Sequence, residues 1–266
     1  MRIHFHASPV LVLCAALLAC AGCNRMPGYP KPGAEVARPD QVLDFPTLYK
    51  QNCSGCHGEN GRNGAALPLN NPAYLAVVGE SNLRAITAKG VNGTLMPPFA
   101  RSAGGMLTDQ QVDALVEGMS RAWGRPSEFA GATLPPYASD APGDPAQGQK
   151  VFVAACARCH GADGLGVKPV NGKSAPTGSS PDSIVDPAYL ALVTDQSLRS
   201  LVIAGRPDEG VPDWRSYLSG AGAHALTPQE IDDVVAWIAS HRAASPAQPV
   251  SQTPMNPPAA AGKENR

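Results

Sequence analysis

The sequence predicts an all-α protein made of two tandem helical domains, and three observations lead to this prediction. Part of the chain repeats itself, apolar residues recur at helical spacing in each repeat, and no stretch alternates polar and apolar residues as a strand does. Only 5% of the 266 residues are aromatic, whereas 27 are glycine and 27 are proline. This composition favours small domains over one large core.

The repeat is clearest where two blocks lie at a constant offset of 115 residues. Residues 71–78, Asn-Pro-Ala-Tyr-Leu-Ala-Val-Val, recur at 186–193 as Asp-Pro-Ala-Tyr-Leu-Ala-Leu-Val. The second half gains 12 residues before Pro187 and four more before Leu226. Both insertions are polar and rich in turn-forming residues, so we expect surface loops there.

Each repeat is predicted to contain the same series of helices. The predicted segments are Phe45–Cys53, Pro72–Val78 and one from Leu83 in the first repeat, and Ala146–Cys156, Pro187–Val193 and one from Leu198 in the second. A closing helix begins at Thr108 or Thr227, because Gln111 or Glu230 follows three residues later in a capping-box pattern. Its apolar face carries Val112, Leu115, Val116 and Met119, or Ile231, Val234, Val235 and Ile238.

The composition also divides the chain into segments. We expect an export or lipoprotein signal at 1–23, a proline-rich tether at 24–44, the first domain at 45–124, a linker at 125–143, the second domain at 144–242 and a disordered tail at 243–266. The signal places Arg2, His4 and His6 before an apolar run of about ten residues, too short to span a bilayer, which takes roughly 20.

Cysteines at the end of the signal predict a lipid anchor. Small residues precede Cys20 and Cys23, as they do at bacterial lipoprotein cleavage sites, and the choice between the two remains open. The mature protein is then expected at the periplasmic face of a bacterial membrane.

A five-residue motif, Cys-x-x-Cys-His, stands in each repeat, at Cys53, Cys56 and His57 and at Cys156, Cys159 and His160. Two thiols at this spacing can add to both vinyl groups of a haem, and the histidine can then bind the iron from the same side. Zinc is the alternative, but it needs two further ligands per site, and the second half has no spare thiol. The motifs therefore predict two haem c groups.

Each half resembles a class I cytochrome c domain. In the first half the resemblance rests on the motif, Gly58 and Met96-Pro97, and in the second on the motif and Gly161. It implies a bundle of three to five helices around one haem, and a role in electron transfer.

Methionine is the expected sixth iron ligand in the first domain. Met96 begins the sequence Met-Pro-Pro-Phe, in which the prolines would stiffen the loop. Met106 and Met119 are the alternatives. When methionine and histidine are the two axial ligands, the reduction potential of the haem is raised and no position on the iron is open to another ligand.

The second domain has Val211 at the aligned position, and valine cannot bind iron. The sixth position of this iron is then open, or it is filled by His224 from the second insertion. Lys168 and Lys173 are weaker candidates for this ligand. An ordinary surface position for His224 is the other interpretation.

Five further residues have structural interpretations. Tyr74 and Tyr189 are expected in the core around the haem, and Trp214 aligns with Phe99. Arg84 and Arg199, which also align, pair with haem propionates or lie on solvated helix faces.

The predicted function is electron transfer between membrane or periplasmic redox protein partners, as a carrier or as a subunit of a respiratory complex. A dihaem enzyme of the peroxidase type, or a gas sensor, would instead use an open second iron. No catalytic constellation is apparent, and no basic run indicates a nucleic-acid partner.

Overall fold

The computed structural model describes residues 37–168, 182–220 and 223–243. Within these ranges every regular element is helical, beside two isolated β-bridges, so the all-α prediction is confirmed. The first repeat contains α1 (Phe45–Asn52), α2 (Ser54–His57), α3 (Pro72–Lys89) and α4 (Asp109–Trp123). The second contains α5 (Pro145–Ala155), α6 (Ala157–His160), α7 (Pro187–Ala191), α8 (Asp195–Ala204) and α9 (Pro228–Ala239). Short 3-10 helices lie at Pro39–Gln41, Arg101–Ala103, Pro126–Phe129 and Pro207–Glu209.

Both repeats lie in one compact unit that begins at Leu43, and the described residues before it include the 3-10 helix Pro39–Gln41. The predicted signal, most of the tether and nearly all of the tail fall outside the described residues, and so do Cys20, Cys23 and Lys173. No helix in the described ranges is long and apolar enough to cross a membrane.

The helices begin where the sequence provides caps. Asp44 accepts a hydrogen bond from the Thr47 amide at the start of α1, and Asp144 caps α5 in the same way. The two predicted capping boxes are present at the starts of α4 and α9. Local sequence therefore determines these helix starts.

A glycine separates the two middle helices that the first repeat was predicted to contain. Gly79, with φ of 65°, breaks the α-helical path inside α3. In the second repeat α7 ends at Ala191, and α8 begins afresh with Thr194 as its cap. The predicted order of helices is confirmed.

The closing helix crosses the first helix of each repeat at a close approach. A Cβ on Gly118 of α4 would lie 2.2 Å from the Phe45 ring, and one on Gly148 of α5 would lie 1.9 Å from the Asp233 carbonyl oxygen. Beside the second crossing, Phe152 packs on Trp237 with ring centroids 4.2 Å apart. The predicted apolar faces of α4 and α9 are fully buried in these crossings, which confirms them.

The two aligned tyrosines differ in burial. Tyr74 is buried as expected, whereas Tyr189 is 47% exposed among the protein atoms, so its place against a haem stays a prediction. Burial raises the pKa of the Tyr74 phenol, and the nearby Tyr137 adds to the rise. Tyr137 belongs to the segment that joins the repeats. That segment occurs once in the chain, and it covers the tyrosine of the first repeat.

Candidate cofactor sites

The first Cys-x-x-Cys-His motif forms a single helical turn. The amides of Cys56 and His57 both donate to the carbonyl of Cys53, at 3.2 and 3.0 Å. Both thiols are free, Cys53 on the buried side of the turn and Cys56 on the exposed side. One turn of backbone thus holds two thiols and an imidazole in a fixed relation.

The imidazole of His57 is oriented by a backbone carbonyl. Its Nδ1 lies 2.7 Å from the Leu67 oxygen and donates to it, so Nε2 keeps the lone pair that a metal would bind. Burial lowers the pKa of His57, and the bond to Leu67 opposes this only in part. The ring is therefore neutral at neutral pH, the form in which histidine binds metals.

The motif alone is too small a ligand set for a structural zinc site. Such a site takes four protein ligands, and the motif supplies two thiols and one imidazole. Burial raises the pKa of the Cys53 thiol to about 12, and the neighbouring Cys56 adds to the rise. Among the described residues no group of three or more His, Cys, Asp or Glu side chains could hold a metal ion. The motif fits a covalently attached haem better than a zinc ion.

The second motif repeats this turn. The amides of Cys159 and His160 donate to the Cys156 carbonyl at 3.1 and 3.0 Å. Burial lowers the pKa of His160, and its buried Nδ1 has no hydrogen-bond partner among the described residues. The chain that follows this turn includes residues 169–181, which are not described. A neutral imidazole beside two thiols again fits a haem.

The loop that carries Met96 is held against the end of α3. A Cβ on Gly90, where φ is 69°, would lie 2.6 Å from the Met96 carbonyl oxygen, and that oxygen accepts from the Val91 amide at 3.0 Å. Met96 is half-buried. The alternative methionines are placed otherwise, since Met106 is 81% exposed and Met119 lies in the α4 core at 1%.

Val211 occupies the same loop position in the second repeat. Gly205 takes the place of Gly90, and a Cβ on it would lie 2.6 Å from the Val211 carbonyl oxygen. Arg206 and Val211 exchange two backbone hydrogen bonds of 3.0 Å. The two loops are built alike, but Val211 has no side-chain atom that can bind iron.

His224 lies near the start of α9 and is half exposed. Its Nε2 is 3.1 Å from the nearer carboxylate oxygen of Glu230, the residue that completes the capping box with Thr227. Ligation through Nε2 would require the loss of this contact. Lys168, a weaker candidate, is exposed.

The aligned arginines are paired with carboxylates of the closing helices. Arg84 Nε lies 2.5 Å from Asp113 at an exposed site. Arg199 is 2% exposed, pairs with Asp232 and donates to the Pro136 carbonyl. The solvated position expected for Arg199 is wrong, because the joining segment covers it.

Three positions carry contacts that no motif had indicated. Asn71 of the first repeat and Phe129 of the linker both touch the second repeat, and Gly90 supports the Met96 loop. The recurrence of Gly90 as Gly205 was a signal of that support. Asn71 of the first block aligns with Asp186 of the second, which has no N–H donor on its side chain. This difference indicated that only Asn71 could donate to another part of the chain.

Comparisons with known proteins match both repeats, and the family models match each repeat separately. A family model described as "Cytochrome c" matches residues 145–242, and one described as "Cytochrome C oxidase, cbb3-type, subunit III" matches residues 40–117. A "Cbb3-type cytochrome c oxidase subunit FixPc" of Rhizobium leguminosarum bv. viciae is 30% identical over 68% of this chain and 57% of its own length. A "Cbb3-type cytochrome c oxidase subunit FixP" of Sinorhizobium medicae is 30% identical over 45% of this chain and 39% of its own length.

The chain thus spans about half the length of these curated relatives. Among solved structures, the Kuenenia stuttgartiensis "reducing HAO-like protein complex Kustc0457/Kustc0458" is 17% identical, with a TM-score of 0.40, over 76% of this chain and 97% of the matched chain.

Proposed function

Because the chain belongs to the class I cytochrome c family, with two domains in tandem, we propose that it transfers electrons between redox proteins through two haem c groups. The observation that carries the proposal is the repeated turn, in which two free thiols and a neutral imidazole share one helical frame. Bound haem would supply a one-electron iron couple in each domain.

The residues proposed to hold the haems follow from these turns. Cys53 and Cys56 in the first domain, and Cys156 and Cys159 in the second, would form the thioether bonds. His57 and His160 would bind the irons through Nε2. Met96 would be the sixth ligand of the first iron, because its loop is anchored and its thioether suits iron in a c-type site.

The sixth position of the second iron is proposed to differ from the first, since Val211 replaces Met96. His224 is the candidate ligand because an imidazole can bind iron. Binding through Nε2 would require His224 to give up its contact with Glu230. Replacing His224 by alanine decides the matter. A change of the second haem from low-spin to high-spin would establish ligation, whereas an unchanged spectrum would leave His224 as the partner of Glu230.

Electron transfer, rather than an enzymatic reaction, suits the first site best. A methionine-bound iron exchanges electrons without an open position for substrate. Exposed apolar side chains flank the loop, with Leu95 93% and Met106 81% exposed, as a brief docking contact requires.

The proposed partners are components of a membrane respiratory complex. The named relatives are subunits of cbb3-type cytochrome c oxidases. We propose that this chain donates electrons to such an oxidase or forms part of it. A lipid on Cys20 or Cys23 would hold it at the periplasmic face.

The test is to produce the chain with its export signal in a host that matures c-type cytochromes. The proposal expects a protein mass increased by two haems, and a redox titration that resolves two one-electron steps. Replacing both Cys156 and Cys159 by alanine should remove one haem and one step, and the pair Cys53 and Cys56 serves as the matched control. A wild-type protein that binds zinc and no haem would overturn the proposal.

A further inference from the structure

The loop Gly205–Arg215 of the second repeat contacts the first repeat at one end and the linker, residues 125–143, at the other. This loop carries Val211, at the position equivalent to Met96, and Trp214, at the position equivalent to Phe99. It is called the distal loop below.

Asn71 holds the beginning of the distal loop. Its side chain is 2% exposed, and its Oδ1 caps α3 by accepting from the amides of Ala73 and Tyr74. Its Nδ2 donates to the carbonyls of Ala204 and Gly205, both at 3.1 Å. The last carbonyls of a helix lack partners within that helix, so Asn71 caps the start of α3 and the end of α8 at once.

Phe129 holds the other end of the loop. It lies in the 3-10 helix Pro126–Phe129 and stacks on Trp214, with ring centroids 6.1 Å apart and planes 15° from parallel. The Arg215 guanidinium lies 4.6 Å from the centre of the Phe129 ring. It also donates to the Glu128 carbonyl at 3.1 Å. Phe129 and Trp214 are 7% and 2% exposed, so the contact excludes water.

Between these ends the distal loop is stiff. The Pro212 carbonyl packs directly on the Cα of Gly205. This approach requires glycine, because a Cβ at position 205 would lie 2.0 Å from the Pro212 carbonyl oxygen. The paired backbone of Arg206 and Val211 closes the turn, and the Trp214 amide donates to Ile203 at 2.9 Å. A constraint on either end is therefore transmitted to Val211.

Only the first repeat has an amide donor at this aligned position. The residue aligned with Asn71 in the second repeat is Asp186, whose carboxylate caps the Tyr189 amide and has no N–H to donate. Asn71 thus carries a donor that its counterpart lacks, and this donor is used on the other repeat.

We propose that Asn71 and Phe129 are positioning residues for the second haem, acting through the distal loop. The proposal rests on the proposed function, since it requires a haem at Cys156 and Cys159. The first repeat and the linker would then fix the segment that carries Val211, the residue aligned with the proposed iron ligand Met96. Loosening these contacts changes the spin state, potential or ligand access of the second haem and leaves the first haem unchanged.

The test uses the full, haem-loaded chain with the substitution Asn71→Asp. Aspartate keeps the acceptor that caps α3, but it removes the Nδ2 donor and sets a carboxylate against two carbonyl oxygens. The matched control is Asp186→Asn, at the aligned position. Electron paramagnetic resonance spectra, the potential of each haem and the rate of carbon monoxide binding are measured for both.

We expect Asn71→Asp to change the signal of the second haem and to raise its carbon monoxide binding rate several-fold, with the first haem and the control as in wild type. Hydrogen exchange at the Arg206 and Val211 amides should also accelerate. Equal change at both haems, or no change at the second, would overturn the proposal.

The variant Phe129→Leu tests the other end and decides the matter if Asn71→Asp does not fold. Leucine keeps an apolar side chain but removes the ring that stacks on Trp214, and the same changes at the second haem are expected. A protein with two haems whose second haem ignores this substitution would overturn this proposal alone. A wild-type protein that lacks the second haem would overturn the proposed function as well.

Discussion

The two proposed iron sites differ at the aligned residues Met96 and Val211, which stand in loops that share two backbone features. Both loops pack on a glycine with positive φ, and both are closed by bonds between the same aligned positions, from Val91 to Met96 and from Arg206 to Val211. A thioether can bind iron and a branched alkyl group cannot. The expected difference in iron ligation between the two sites therefore follows from side-chain chemistry.

Replacing Met96 by alanine should open the first iron. Loss of the thioether should allow carbon monoxide to bind and should lower the first potential by a fraction of the roughly 0.8 V that axial ligands span. Visible spectra with carbon monoxide and a redox titration measure both effects. Met106→Ala is the control, because Met106 is 81% exposed, and it should behave as wild type. A carbon monoxide response in Met106→Ala but not in Met96→Ala would refute the assignment.

At the scale of elements, the contact between each glycine and its ligand loop is a requirement of backbone packing. Gly90→Ala should destabilise the protein more than Gly79→Ala does. Both glycines have positive φ, 69° and 65°, which costs a non-glycine residue roughly 1–3 kcal/mol. A Cβ on Gly79 meets nothing within 4 Å, whereas one on Gly90 would lie 2.6 Å from the Met96 carbonyl oxygen.

This clash should add about 1–3 kcal/mol, the usual cost of overpacking. Urea unfolding of the haem-loaded variants measures the difference. Equal losses of stability would show that the Gly90 contact does not constrain the loop.

The aligned arginines provide a second comparison between elements. Arg199→Leu should cost about 3–5 kcal/mol, because it leaves the Asp232 carboxylate buried without its partner and frees the Pro136 carbonyl. Arg84→Leu removes the exposed pair with Asp113 and should cost about 0–1 kcal/mol. Denaturant unfolding of both variants tests this order. The reverse order would mean that the joining segment contributes little to stability.

At the scale of the whole molecule, the proposed membrane attachment depends on two cysteines ahead of the folded unit. Replacing both Cys20 and Cys23 by serine should move the protein from the membrane fraction to the soluble periplasmic fraction, since neither candidate cysteine then remains to carry lipid. Each single variant identifies which cysteine is used. Cys14→Ser, within the apolar part of the signal, is the control and should stay with the membrane. Membrane retention of the double variant would contradict lipid anchoring.

Much of the architecture was predictable because it depends on neighbours in the sequence. Capping boxes at Thr108 and Thr227, the break near Gly79 and the motif turns all involve residues within a few positions of one another. The burial of Arg199 was not predicted, because burial depends on what the rest of the chain places over a residue.

The amino-acid sequence by itself determined the helices, the repeat, the paired thiols and histidines, and the exchange of Met96 for Val211. These follow from local spacing and from the alignment of two halves. The tertiary structure alone decided that Arg199 is covered by the joining segment, and that Asn71 of the first repeat and Phe129 of the linker hold the distal loop of the second repeat. Such contacts join residues 63 to 134 positions apart, and no local pattern specifies which distant surfaces meet.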